Sequence, residues 1–222
     1  MRVNAISIAV LSLVVAAGAF GEDTGVGVDT SNPSVDVYCP SGGGKLPVVF
    51  FAHNGGGKKE DWSDYPKKLA ESGYLAASIQ WATMSGISDL KAIIGDVLKK
   101  YADVADLERV AFVGGCHGGV KMVSFMKAAD APCRVKTAVF LSISEMAKLP
   151  AEHVPVLGIY ATDDHLGDNY KRFTKMYVET ILTEPKKMVA ITGTPHGHEL
   201  VADAATKDEA RGEIAAWLKE KL

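Results

Sequence analysis

The sequence has no cluster of basic residues and no low-complexity tract. Its 24 Lys and Arg stand against 27 Asp and Glu, for a formal net charge of −3. The electrostatic footprint of a nucleic-acid binder is therefore missing. Charged residues make up only 23% of the chain and hydrophobic ones 47%. That balance excludes intrinsic disorder and allows a sizeable buried core. Beyond the extreme N-terminus, no apolar run is long enough to span a membrane. Cysteine is scarce, at Cys39, Cys116 and Cys133. The chain has 222 residues, within the roughly 250 that one domain holds.

The N-terminus is unlike the rest. Met1-Arg2 is short and positive, and Ile6 to Ala17 is apolar except for Ser7 and Ser12. Ala17-Gly18-Ala19 follows as a small-residue cleavage site. This pattern predicts a secretory signal peptide over residues 1–19 and a secreted protein, periplasmic or extracellular. The apolar run is shorter than the ~20 residues of a spanning helix, so no stable membrane insertion is expected after cleavage. Residues 20–33, rich in Gly, Thr and Asp, predict a flexible mature N-terminus. Residues 34–222 then form a single domain. Export places the cysteines where disulfides persist, and an odd count suggests one pair and one leftover thiol. A Cys39–Cys133 pair would leave Cys116 free.

From Ser34 onward, short apolar runs alternate with helical patterns. Strands are predicted at Ser34–Cys39 (an edge strand), Leu46–Ala52, Tyr74–Gln80, Arg109–Gly114, Val135–Leu141, Val154–Tyr160 and Lys186–Ile191. Helices are predicted at Asp61–Ser72, Ser88–Lys100, His117–Ala129, Asp168–Leu182 and Asp208–Lys221. The last would bury Ala210, Ile214, Trp217 and Leu218. Such alternation predicts an α/β fold, with a mostly parallel central sheet and helices on both faces.

The chemistry-bearing motif is Gly114-Gly115-Cys116-His117-Gly118-Gly119, where a buried strand turns into a helix. A nucleophile on such a turn projects from the top of the sheet, and glycines two positions to either side let strand and helix pass. The helix N-terminus favours a thiolate. The spacing fits neither a dinucleotide fingerprint nor a P-loop, and no cofactor is expected. An acid is expected after a later strand, in Ala161-Thr162-Asp163-Asp164-His165. Asp164 is preferred and Asp163 is the alternative. A base is expected after the last strand, in Gly193-Thr194-Pro195-His196-Gly197-His198. His196 is preferred and His198 is the alternative. The ligand types also allow a metal site, but they come from two loops without a tight spacing motif. His53-Asn54-Gly55-Gly56-Gly57 follows the first central strand. Its N–H groups at Gly55 and Gly56, with that of His117, would form an oxyanion hole.

At these residues the sequence resembles the dienelactone hydrolase-like branch of the α/β-hydrolases. That branch carries Cys in a G-x-C-x-G elbow, Asp in a G-x-x-D-H type loop and His in a G-x-x-H-G type loop. The resemblance implies Cys116, Asp164 and His196 as catalytic residues, an α/β-hydrolase fold and no cofactor. The His53–Gly57 loop and the Gly73-Tyr74 step instead look like lidless polyester-hydrolase and chlorophyllase-type members. Two departures stand out. No glutamate follows the first central strand, and no arginine pair is present for a small carboxylate substrate. The implied activity is hydrolysis of a small-molecule carboxylic ester, lactone or thioester through an acyl-thioester intermediate. The alternative is a binding protein on the same fold, with the triad unused.

Overall fold

The apolar run Leu46–Ala52 becomes a strand buried on both faces. Val49 and Phe51 point into one layer, and Val48, Phe50 and Ala52 into the other. All five are 0% exposed, and each large side chain contributes about 1.5–3 kcal/mol by leaving water. This strand lies near the middle of an eight-stranded sheet in a computed structural model that describes residues 25–42, 44–144, 154–180 and 185–222. The signal peptide expected over residues 1–19 lies outside the described residues.

The elements in chain order are β1 (Val26–Asn32), β2 (Val35–Pro40), β3 (Leu46–Ala52), α1 (Tyr65–Glu71), β4 (Leu75–Ile79), α2 (Ile87–Lys100), β5 (Ala105–Gly115), α3 (His117–Met126), β6 (Thr137–Leu141), β7 (Val156–Ala161), α4 (Asp168–Thr180), β8 (Lys186–Ile191) and α5 (Lys207–Lys221). The sheet order is β1-β2-β4-β3-β5-β6-β7-β8. β3 to β8 run parallel, while β2 pairs antiparallel with both β1 and β4. On one face lie α1 and α5. As the sequence pattern predicts, Ala210, Ile214, Trp217 and Leu218 of α5 are buried there. The other face carries α2 and α3 through Leu90, Ile94, Met122 and Phe125, and α4 through Val178. Among the described residues, no helix is long and apolar enough to cross a membrane.

Three expectations are corrected. First, the segment expected to be a flexible N-terminus contains β1, and Ser34–Cys39 is therefore not an edge strand. Polar residues conceal the strand in sequence, but they have partners. Asp29 Oδ2 takes Lys100 Nζ at 2.5 Å and the Tyr101 hydroxyl at 2.9 Å. Asn32 Oδ1 accepts the Ser34 N–H at 2.9 Å, closing the turn into β2.

Second, the helix expected over Asp61–Ser72 is split. A 3-10 turn covers Lys59–Trp62, Ser63 takes a left-handed φ of 57°, and α1 restarts with Pro66 in its first turn. The break places both Trp62 and Tyr65 edge-on against Phe51, at 5.1 and 5.8 Å between ring centroids.

Third, Cys39 and Cys133 are not bridged; all three cysteines are free thiols. Cys39 sits on β2 and Cys133 leads into β6, with β4, β3 and β5 between those strands. At about 4.8 Å per strand the two strands stand on the order of 19 Å apart. A bridge needs Cα atoms within roughly 7 Å.

Parallel strands bring their C-terminal ends to one edge of the sheet, where the loops after them converge. The loops after β3, β5, β7 and β8 carry His53–Gly57, Cys116, Asp164 and His196.

Candidate active site

β5 ends at Gly115 and α3 begins at His117, leaving Cys116 alone at the turn with φ 50° and ψ −121°. A residue with a Cβ held there costs of order 1–3 kcal/mol, which the surroundings must offset. The Cys116 N–H donates to the Leu141 carbonyl of β6 at 2.9 Å. The flanking glycines are required by contact. A Cβ on Gly114 would lie 2.5 Å from Gly119 Cα, and one on Gly118 would run into the carbonyl oxygens of Ala52 and His53. Cys116 is thus pinned at the N-terminus of α3, whose dipole favours an anion.

The structure brings Asp164 and His196 together and separates their alternatives. His196 Nδ1–H donates to Asp164 Oδ2 at 2.8 Å, with the side chains 2% and 1% exposed. Asp164 Oδ1 accepts the Leu166 N–H at 3.0 Å, which fixes the carboxylate. Asp163 is exposed, and its Oδ2 accepts a hydroxyl hydrogen bond from Thr162. The second ring nitrogen of His196, Nε2, is buried and unbonded among the described residues. The Cys116 thiol is close enough to act on it electrostatically. Such hydrogen bonds are often long in a resting site and tighten on the reaction path. His165 Nδ1–H donates to the Thr194 carbonyl at 3.0 Å, and its ring packs 6.1 Å from that of His196.

His198 has a different task. Its Nδ1 accepts the Asn54 N–H at 3.1 Å, and its own N–H donates to Asn54 Oδ1 at 3.0 Å. Asn54 Nδ2 donates to the His196 carbonyl at 3.0 Å. A single buried asparagine therefore ties the loop after β3 to the loop after β8. The clamp explains Gly197, which has φ +57° and where any Cβ would collide with the Asn54 amide. Asn54 stands in sequence as a replacement for a glycine of an HGGG-type loop, and nothing in the sequence alone signals the clamp. Tyr170 on α4 was equally silent. Its ring meets the His196 ring edge-on at 4.3 Å and covers it.

Of the proposed oxyanion donors, the Gly55 N–H is one of the groups that lower the Cys116 thiol, and His117 opens α3. Gly56 is the left-handed residue of the turn that the Gly57 N–H closes onto the Asn54 carbonyl at 3.1 Å.

The charges follow from this packing. Burial would push the Cys116 thiol up; His196, then His117 and the Gly55 N–H, outweigh it and bring the thiol down to about 7. Burial would lower His196, but Asp164 and Cys116 raise it to about 9. Burial keeps His198 below the ordinary histidine value. Near neutral pH the site therefore favours thiolate and imidazolium, which titrate as a pair. Burial pushes Cys39 up and Cys133 up to about 12, so Cys116 is the thiol that reacts first. The alkylation rate of Cys116 with iodoacetamide is expected to rise with a midpoint near 7, below the roughly 8.5 of an unperturbed thiol. In a His196→Ala protein the midpoint should move up, because burial then lacks its main opponent. A wild-type midpoint at the unperturbed value would remove the ion pair.

The sequence matches no protein-family model and none of the curated proteins. Solved structures do match in shape. A dienelactone hydrolase from Anabaena variabilis superposes with a TM-score of 0.62 at 17% identity, covering 85% of this chain and 91% of its own. An esterase from Pyrobaculum calidifontis gives 0.65 at 21% identity, over 84% of this chain and 80% of its own. Esterase B from Lactobacillus rhamnosis gives 0.64 at 13% identity, over 92% and 88%. The chain has the α/β-hydrolase fold.

Proposed function

We propose that the protein hydrolyses small-molecule carboxylic esters, lactones or thioesters, with Cys116 as nucleophile, His196 as acid and base, and Asp164 as its partner. The observation that carries this reading is the buried 2.8 Å Asp164–His196 hydrogen bond beside a thiol at a strained strand-to-helix turn. The esterases and the dienelactone hydrolase of the same fold support it.

In this reading the Cys116 thiolate attacks the acyl carbon, and the carbonyl electrons move onto oxygen beside the Gly55 and His117 N–H groups. The oxyanion collapses, the bond to the leaving oxygen or sulfur breaks, and His196 Nε2–H protonates that leaving group. The products are an acyl-thioester on Cys116 and a neutral His196. Water then attacks the thioester while His196 takes its proton. The C–S bond breaks, releasing the acid and restoring the thiolate–imidazolium pair. Asp164 keeps the His196 proton on Nδ1 and stabilises the imidazolium throughout. No cofactor enters any step.

Export belongs to the same proposal, supported by the pattern of residues 1–19. N-terminal sequencing of protein recovered outside the cytoplasm tests it, and an intact Met1 there would refute it. For the chemistry, a panel of p-nitrophenyl esters and lactones is incubated with the enzyme, quenched in acid and digested. An acyl group on the Cys116 peptide is the expected result. Hydrolysis with acyl groups found only elsewhere would refute the nucleophile.

A further inference from the structure

The residue after the nucleophile is a histidine, and its side chain does not simply point into solvent. His117 Nδ1 lies 3.6 Å from Cys116 Sγ, within hydrogen-bond reach of a sulfur. The same nitrogen would stand 3.1 Å from a Cβ placed on Gly55, so the imidazole rests against the Gly55 backbone. His117 is exposed. Its ring thus borders the thiol on one side and the Gly55 donor on the other, and it can rotate.

From this position we infer that the His117 imidazole is a third, mobile donor of the oxyanion hole, which follows the negative charge from Sγ to the substrate oxygen. The inference rests on the ester-hydrolase reading above. In the resting site, Nδ1–H donates to the thiolate; His117 is one of the groups that lower the thiol. When the C–S bond forms, the charge leaves sulfur and appears on the carbonyl oxygen, one bond beyond the acyl carbon. That oxygen lies beside the Gly55 and His117 N–H groups, next to the ring. A small rotation about the exposed side chain moves the hydrogen bond with the charge. No proton is transferred, so a neutral imidazole with its hydrogen on Nδ1 suffices. A donor that is worth more to the oxyanion than to the bound ester acts on kcat more than on KM.

The test compares His117→Leu, which keeps bulk and loses the donor, with His117→Asn, whose amide nitrogen can stand where Nδ1 stands. Two readouts are taken on each full-length protein: the pH midpoint of Cys116 alkylation, and kcat with KM on the best ester of the panel. The Leu variant is expected to show a raised alkylation midpoint and a kcat lower by about 10²-fold, with KM little changed. The Asn variant should recover most of both. Unchanged midpoint and kcat in the Leu variant would overturn the inference. So would a faster Leu variant, because the ring would then be a cover over the nucleophile. If wild type hydrolyses no ester, the proposed function fails instead. The alkylation midpoints still decide whether His117 donates to the thiolate.

Discussion

Asp164→Asn is expected to lower kcat by about 10⁴-fold while leaving the fold intact. Asp164 Oδ2 accepts the His196 Nδ1–H, and both groups are buried. An amide there carries no charge to stabilise the imidazolium. If it turns its NH₂ group to the ring, it also favours the tautomer with the proton on Nε2, which cannot take a proton from water. A 10⁴-fold loss corresponds to about 5.4 kcal/mol of barrier at 1.36 kcal/mol per decade. That is a reasonable loss for a buried charge-assisted hydrogen bond to a reacting group. The fold should survive because an asparagine oxygen can still accept the Leu166 N–H that Asp164 Oδ1 now takes. The control is Asp163→Asn. Its side chain is exposed and bonded to Thr162, so kcat should stay near wild type. Circular dichroism and thermal melts are the checks that both variants fold. If Asp163→Asn carries the loss instead, the wrong carboxylate has been assigned.

The loops around Asp164 and His196 show what a sequence can and cannot convey. Strand-then-loop placement and the order nucleophile, acid, histidine are linear properties, and they single out Cys116, Asp164 and His196, of which the last two meet in a buried hydrogen bond. The buried faces of β3 and α5 are equally legible, because hydrophobic periodicity is local. What fails are properties of pairing. β1 has a strand's alternation of Val26, Val28 and Thr30, but its intervening polar residues find partners on α2 and Tyr101 that lie about 70 positions away. The strand order β2-β4-β3-β5-β6 is written nowhere in the chain, so a Cys39–Cys133 bridge looks feasible until the intervening strands are known. The choice between His196 and His198 has the same origin. Both lie in one loop, and only Asn54, 144 positions before His198, commits His198 to a structural bond. Asn54 itself reads as a flaw in a glycine-rich loop and turns out to be the residue that ties that loop to the one carrying His196.

Cys116→Ala is expected to reduce turnover by about 10⁶-fold, the order of loss when the nucleophile of a cooperating set is removed. The proposed oxyanion donors at Gly55 and His117 would remain and should sustain a small residual rate. Cys116→Ser is the more informative variant. A serine hydroxyl does not ionise near neutral pH, so it needs His196 as a neutral base before it can attack. In the wild type, Asp164 and Cys116 together raise His196 to about 9 against the opposing effect of burial. Serine removes the contribution of the thiolate, and Asp164 still favours the protonated ring. At pH 7 much of the serine variant would hold an imidazolium facing a neutral hydroxyl, which is the unproductive pairing. Its kcat/KM should therefore lie far below wild type at pH 7 and climb as pH rises through the His196 pKa. The wild-type profile should instead rise near 7 as the thiol ionises and fall near 9 as the leaving group loses its proton donor. Initial rates across pH 5.5 to about 10 on one ester separate the two curves. A serine variant as fast as wild type at pH 7 would show that the site is built for a neutral hydroxyl–imidazole pair. A Cys116→Ala protein within about tenfold of wild type would end the nucleophile assignment.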